Sequence, residues 1–265
     1  MFGAIRRNNG NLMPATSATL EWRVEEACRN AWPALREVLL DGWLLRFSEG
    51  LTRRANSANP LRPVAHANPA GCETLYRRLG LPAIVRVTTL VDSSVDQQLA
   101  DVGYNREGES CVLYGLLNDV ETARYTDVRL LSEPTPEWFA AMAALQNHSP
   151  QQATTYQRVL GQIAIPAAFA ALPVGDDIVA AAYGVVHNGL LCFESVITGS
   201  GWRRRGYSRR IITSLAAWAR ENGARGACLE VEAGNSAALA LYDAIGLRRE
   251  LYRYHYRREP RANGS

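Results

Sequence analysis

Lysine is absent from this chain of 265 residues, so all 29 basic side chains are arginine. That absence excludes imine-forming lysine chemistry and the Gly-Lys-Ser or Gly-Lys-Thr phosphate loop of nucleotide hydrolases. Cysteine is sparse, and the five present (Cys28, Cys72, Cys111, Cys192 and Cys228) are odd in number and scattered without paired metal-ligand spacing. They read as buried or inert thiols. The four histidines, His66, His148, His187 and His255, form no close ligand set, so no metal is expected. No apolar run reaches the length of a membrane span and no signal-peptide pattern opens the chain; the expected setting is the cytoplasm, without a membrane partner. A net charge of +3 gives no general case for nucleic acid.

What is present is apolar material, at 47% of residues, and a length that suggests about two domains. Leu190 to Ile197 is rich in strand formers, Arg203-Arg204-Arg205-Gly206-Tyr207-Ser208 follows, and Ile211, Ile212, Leu215, Trp218 and Ala219 then recur at helical spacing. Strand, basic glycine turn and helix in that order read as a cradle for phosphate, in which backbone N–H groups and the helix dipole face the anion, although arginines beside glycine are equally common on solvated surfaces. The three spaced glycines of a dinucleotide fingerprint are missing. Further on, Gly226 to Glu232 reads as a strand, Asn235 opens a helix bearing Ala238, Leu241, Tyr242 and Ile245, Gly246 ends it, and Glu250 to Arg257 alternates as a last strand.

These two motifs, in this order, make residues 126–258 resemble a GCN5-related N-acetyltransferase domain. Arg203 to Ser208 is similar to that family's acetyl-CoA loop, with Ser208 where Gly or Ala is usual. Asn235 to Gly246 is similar to its second signature. The resemblance implies an α+β, mixed α/β fold, a mostly antiparallel sheet flanked by helices, with acetyl-CoA as co-substrate. It implies that Val196, Ile197 and Thr198 pair through main chain with the pantetheine amides, that Arg203, Arg204, Arg205, Gly206, Tyr207 and Ser208 hold the pyrophosphate, and that Tyr242 faces the CoA sulfur as general acid. Asn235, seven residues before Tyr242, would lie on the same face and reach the pantetheine or pyrophosphate. Asn235 is equally a favoured N-cap, and Tyr242 equally a core aromatic.

An amine must lose a proton before it attacks a thioester, so a base is needed. Glu194 interrupts an apolar strand just before the loop and is the first candidate; Glu232, at the end of the next strand, is the second. Either could instead face solvent, and ordered water could serve in place of both.

Residues 1–125 remain. After a polar start expected to be mobile, Leu20 to Leu40 reads as a helix interrupted at Pro33, Trp43 to Phe47 as a strand, and Leu51 to Ser57 as its hairpin partner. Cys72 to Leu79 reads as a short helix, Ala83 to Val87 as a strand, Ser94 to Val102 as a helix, and Glu107 to Leu116 as a strand. This order is a weak echo of the chain's end and suggests a degenerate copy of the same fold over residues 1–125, shaping the substrate site of a catalytic domain over residues 126–265. Arg53, Arg54 and Asn56 could read a polar group of the acceptor. The expected acceptor is a small-molecule amine, such as an amino acid, polyamine or aminoglycoside, and the expected state a monomer or homodimer. A protein lysine or N-terminal acceptor, or a non-catalytic acyl-CoA sensor, are the alternatives.

Overall fold

A computed structural model describes residues 19–260; the polar start read as mobile lies outside them. Along the chain run α1 (Leu20–Ala31), β1 (Arg36–Leu40), β2 (Trp43–Phe47), β3 (Ala58–Pro60), α2 (Pro69–Arg77), β4 (Ile84–Thr88), α3 (Ser94–Asp101) and β5 (Asn105–Leu116). There follow β6 (Arg129–Leu131), α4 (Pro136–Leu145), α5 (Pro150–Leu160), β7 (Ala167–Val174), β8 (Asp177–His187), β9 (Leu190–Thr198), α6 (Tyr207–Glu221), β10 (Gly226–Glu232), α7 (Ser236–Ala244) and β11 (Arg249–Arg258). Three helix starts share one device: Asn68, Thr135 and Ser149 each accept a backbone N–H, and the next residue is a proline whose missing N–H costs nothing at that position.

Among the described residues eleven strands form one sheet in the order β1-β2-β3-β4-β11-β5-β10-β9-β8-β7-β6. The last strand of the chain, β11, lies between β4 and β5, and β5 in turn pairs with β10. The expected boundary after residue 125 therefore falls at no break in the sheet: β5 has both its neighbours from the far end of the chain. Helix α1 likewise packs on β8, β9 and β10.

Two local expectations are corrected. Residues 36–40 leave the helix after Pro33 and form β1, because the positive-φ pair Asp41 and Gly42 folds them back onto β2. Residues 51–57 are irregular, not the hairpin partner of β2, and carry Arg54 inward to the buried Glu194 and Glu230.

Alternation along the strands sorts the core. Ile211, Ile212, Leu215 and Ala219 of α6, with Tyr242 and Ile245, pack on Leu191, Phe193, Leu229 and Val231. On the opposite face, Val24 and Ala27 of α1, Trp138 and Met142 of α4 and Tyr156 and Val159 of α5 meet Tyr183, Cys192 and Cys228. A third cluster joins Trp43, Leu45, Phe47, Val85 and Val87 to α2 and α3. Gly246 closes α7 at φ +104, and a Cβ there would lie 2.3 Å from the Asp119 carbonyl oxygen, so only glycine fits this turn. Among the described residues no helix is long and apolar enough to cross a membrane.

Candidate active site

The site begins where two parallel strands part. β10 pairs with β9 at Gly226–Leu190, Ala227–Leu191 and Cys228–Cys192, and no further, although both strands continue. β9 turns aside through a bulge: Ala181 of β8 faces Ile197 while Tyr183 faces Glu194, and Ser195 takes a left-handed φ of +53°. The Tyr156 hydroxyl donates to Ser195 Oγ at 3.2 Å and braces that residue.

Between the separated strands lies a cleft of about 560 Å³. Phe193 to Val196 line one wall and Leu229 to Glu232 the other; Asn235, Ala238 and Tyr242 come from α7, and Trp32, Arg54, Tyr254 and Tyr256 from the far side of the sheet. Leu191, Phe193 and Val196 of β9 face α6 while Leu190, Cys192 and Ile197 face α1, the bulge switching the alternation, and the cleft is lined from both faces of the sheet. Tyr242 stands on the α6 side, and the aromatic wall of Trp32, Tyr254 and Tyr256 on the α1 side. A through-sheet cleft lets two reactants approach from opposite faces.

At the α6 side, Thr198 at the end of β9 and Ser208 in the first turn of α6 share a hydroxyl hydrogen bond of 2.8 Å. Arg204 and Gly206 both have positive φ, at +59° and +78°, and Gly206 is the N-cap of the helix. Arg203, Arg204 and Arg205 are exposed, and among the described residues none of them makes an ion pair; Arg205 lies over the Trp202 ring. The helix following this loop runs for 15 residues, so its first N–H groups and dipole present a site for an anion. Val196, Ile197 and Thr198 stand on the part of β9 beyond its last pairing with β10.

Tyr242 is buried but borders the cleft, and burial, then the charge of Glu194, push its hydroxyl up to about 12. It is therefore protonated at neutral pH and can donate. Asn235 caps α7, its side chain accepting from the Ala238 N–H at 3.1 Å; its oxygen is committed to the helix and its amide group borders the cleft.

The structure does not leave Glu194 as a free carboxylate. It is buried, 4% exposed, and gripped by Arg54 through both oxygens at 2.9 and 2.6 Å. Burial pushes its carboxyl up, against the opposing pull of Arg54. Arg54 also reaches Glu230 at 2.5 Å, and Arg86 joins Glu230 at 2.8 Å to Glu25 at 2.6 Å. Burial would raise Glu230 too, but Arg54 and Arg86 outweigh it and hold the carboxyl below its usual range. Glu232 is exposed in the cleft and makes no ion pair among the described residues. Arg53 stacks on Tyr256, while Asn56 turns inward to receive the Ser48 and Gly50 N–H groups and is structural.

Sequence spacing missed this ion-pair chain, because its five members come from α1, the 51–57 segment, β4, β9 and β10. The one available signal was charge interrupting apolar strands at Arg86, Glu194 and Glu230. It also missed a cluster of thiols. Cys28, Cys192 and Cys228 meet within 4.8 Å of one another in the core, the scattered cysteines being gathered by three elements. They are the metal-capable sulfur set among the described residues, but contacts among the thiols, one raising and one lowering for each, combine with burial to leave all three well above the usual thiol pKa, which favours neutral SH groups.

Comparison with known proteins fits this geometry. Residues 19–257 match the family described as "Probable histone acetyltransferase Rv0428c C-terminal". The chain is 25% identical over 241 residues to the "Uncharacterized N-acetyltransferase YobR" of Bacillus subtilis, covering 89% of this chain and 97% of that one. A shorter stretch of 45 residues is 49% identical to the "Probable histone acetyltransferase Rv0428c" of Mycobacterium tuberculosis, covering 17% of this chain and 15% of that protein. Among solved structures, a GCN5-related N-acetyltransferase from Kribbella flavida superimposes with a TM-score of 0.63 at 15% identity, over 86% of this chain and 90% of its own.

Proposed function

The chain belongs to the Rv0428c C-terminal acetyltransferase family and has the GCN5-related N-acetyltransferase fold, and from that premise we propose that it transfers acetyl from acetyl-CoA to a small-molecule amine with Tyr242 as general acid. The observation that carries this reading is the through-sheet cleft, with a helix N-terminus and arginine loop at one face and Tyr242 inside.

In this reading the loop from Arg203 to Ser208 and the first turn of α6 bind the pyrophosphate. The pantetheine lies along Val196, Ile197 and Thr198, occupying the backbone groups that β10 leaves unpaired. The amine enters from the α1 side, past Trp32, Tyr254 and Tyr256. Its nitrogen attacks the thioester carbon, the C–S bond breaks, and Tyr242 donates a proton to the departing sulfur. Glu232 takes the amine proton, directly or through water. Two facts favour Glu232 over Glu194: it is open to the cleft, and both oxygens of Glu194 are held by Arg54. A cleft of about 560 Å³ suits a small acceptor.

The test is thiol release from acetyl-CoA with amino acids, polyamines, aminoglycosides and lysine peptides, for the wild type and Tyr242→Phe. The expected result is turnover of a small amine and a fall of about 100-fold in kcat for Tyr242→Phe with acetyl-CoA affinity kept. Turnover of peptides alone would move the acceptor to protein, and an unchanged Tyr242→Phe rate would remove the tyrosine from the chemistry.

A further inference from the structure

Glu194 and Glu230 stand at equivalent positions, each two residues past the last β9–β10 pair, Cys192 with Cys228. The pairing of Cys192 with Cys228 puts residue 194 opposite 230 in the register that β9 and β10 abandon. Two carboxylates on neighbouring strands at matched positions repel, and in an interior both would be costly. What lies between them is the guanidinium of Arg54, bound to Glu194 by both terminal nitrogens and to Glu230 by one of them. Trp32 supports it from the side, the ring centre 4.9 Å from the guanidinium carbon. Arg86 holds the other oxygen of Glu230, its guanidinium 3.7 Å from the Tyr254 ring centre, and passes the chain of charge to Glu25 of α1.

We infer that Arg54 is a positioning residue of the transfer site: it bridges Glu194 and Glu230 and fixes the separation of β9 and β10 at the cleft. The planar fork has two sides, so it can hold two carboxylates at a set distance, which the single ammonium of a lysine cannot do. Ser195, whose left-handed bulge turns β9 away, is the next residue after Glu194, so the bridge anchors the strand immediately before it bends. The segment before residue 125 therefore supplies part of the site. Arg54, Arg86 and Glu25 all come from it, whereas Glu194 and Glu230 come from the later half. This inference rests on the acetyl-transfer reading for its kinetic consequence, but not for its structural one.

The experiment compares wild type, Arg54→Lys, Arg54→Met and the double variant Arg54→Met with Glu194→Gln, the last removing one charge from each side of the bridge so that a folded protein can be obtained. Hydrogen exchange is followed at residues 194–197 and 229–232, with residues 190–192 and 226–228 as the paired reference, and kcat and KM are measured with acetyl-CoA and the best amine. A positioning role gives exchange at least about tenfold faster in the two cleft segments with the reference unchanged. It also gives kcat lowered about 100-fold in Arg54→Met, KM for acetyl-CoA within about threefold, and no rescue by lysine. Exchange in the cleft segments equal to wild type in the folded double variant, or full activity in Arg54→Lys, would overturn the inference. If the exchange changes but the wild type turns over no amine, the bridge stands and the acetyl-transfer reading is what fails.

Discussion

The hydroxyl of Thr198 lies 2.8 Å from that of Ser208, tying the end of the bulged strand to the first turn of α6. Ser208 departs from the small glycine or alanine usual in this loop, and the contact shows what the departure does. Ser208→Ala should lower acetyl-CoA affinity by no more than about threefold, the scale of one partly exposed neutral hydrogen bond. Ser208→Asp should lower it more than tenfold, because a carboxylate would then sit among the N–H groups proposed to bind phosphate. Calorimetry on the two variants separates the effects; equal affinities would mean the phosphates bind elsewhere.

Arg204 is exposed, stands in a left-handed turn and makes no ion pair among the described residues, so its charge is available to a ligand. Arg204→Glu should weaken acetyl-CoA binding by about 10- to 100-fold, the value of a charge-assisted contact with reversal added. The loss should shrink as salt rises. An affinity independent of this substitution would take the loop out of the cofactor site.

Burial, then Glu194, raises the Tyr242 hydroxyl to about 12, so it stays protonated across the working range. The ratio of wild-type to Tyr242→Phe turnover should therefore be constant from about pH 7 to about pH 10. A general acid with an ordinary tyrosine pKa would begin to lose that advantage near pH 10. A ratio falling toward one by pH 10 would contradict the placement of this hydroxyl in a dry site.

Asp96 of α3 accepts from Arg257 of β11 at 2.7 and 3.0 Å and lies 2.6 Å from His255. Arg257 foremost, then His255, hold its carboxyl down to about 2, against partial desolvation. Since the folded value lies below the unfolded one of 3.8, the ionised pair stabilises the fold above about pH 4, and that contribution is lost as pH falls toward 2. With Asp96 partly open to solvent, the effect is on the order of 1 kcal/mol. Asp96→Asn should lower Tm by a few degrees at pH 7, and the gap to wild type should narrow near pH 3. A gap that widens in acid would reverse the sign of this linkage.

The second half of the fold was legible because its signals are local. The run of strand formers in β9, the glycine turn before α6 and the Asn235 cap each depend on residues close in sequence, and each element stands where the pattern put it. The first half was read less well for the opposite reason. Residues 36–40 continue a helix-like pattern, yet the turn at Asp41 and Gly42 and the pairing with β2 decide them. The insertion of β11 between β4 and β5 is a non-local choice that no window of sequence contains. The same holds for the site. Tyr242 and the arginine loop announce themselves by spacing, but the partner of Glu194 lies 140 residues away, and Arg54 gave no local sign that it would be drawn inward.

Transfer of acetyl from acetyl-CoA to an amine across the parted strands, as proposed, can be observed in a single assay. The most direct measurement mixes purified protein, acetyl-CoA and a panel of amines, and follows free CoA thiol together with the mass of the acceptor. The expected result is amine-dependent thiol release with a matching gain of one acetyl group on the amine. Failure to bind acetyl-CoA or longer acyl-CoAs, or thiol release with no acetylated amine formed, would contradict it.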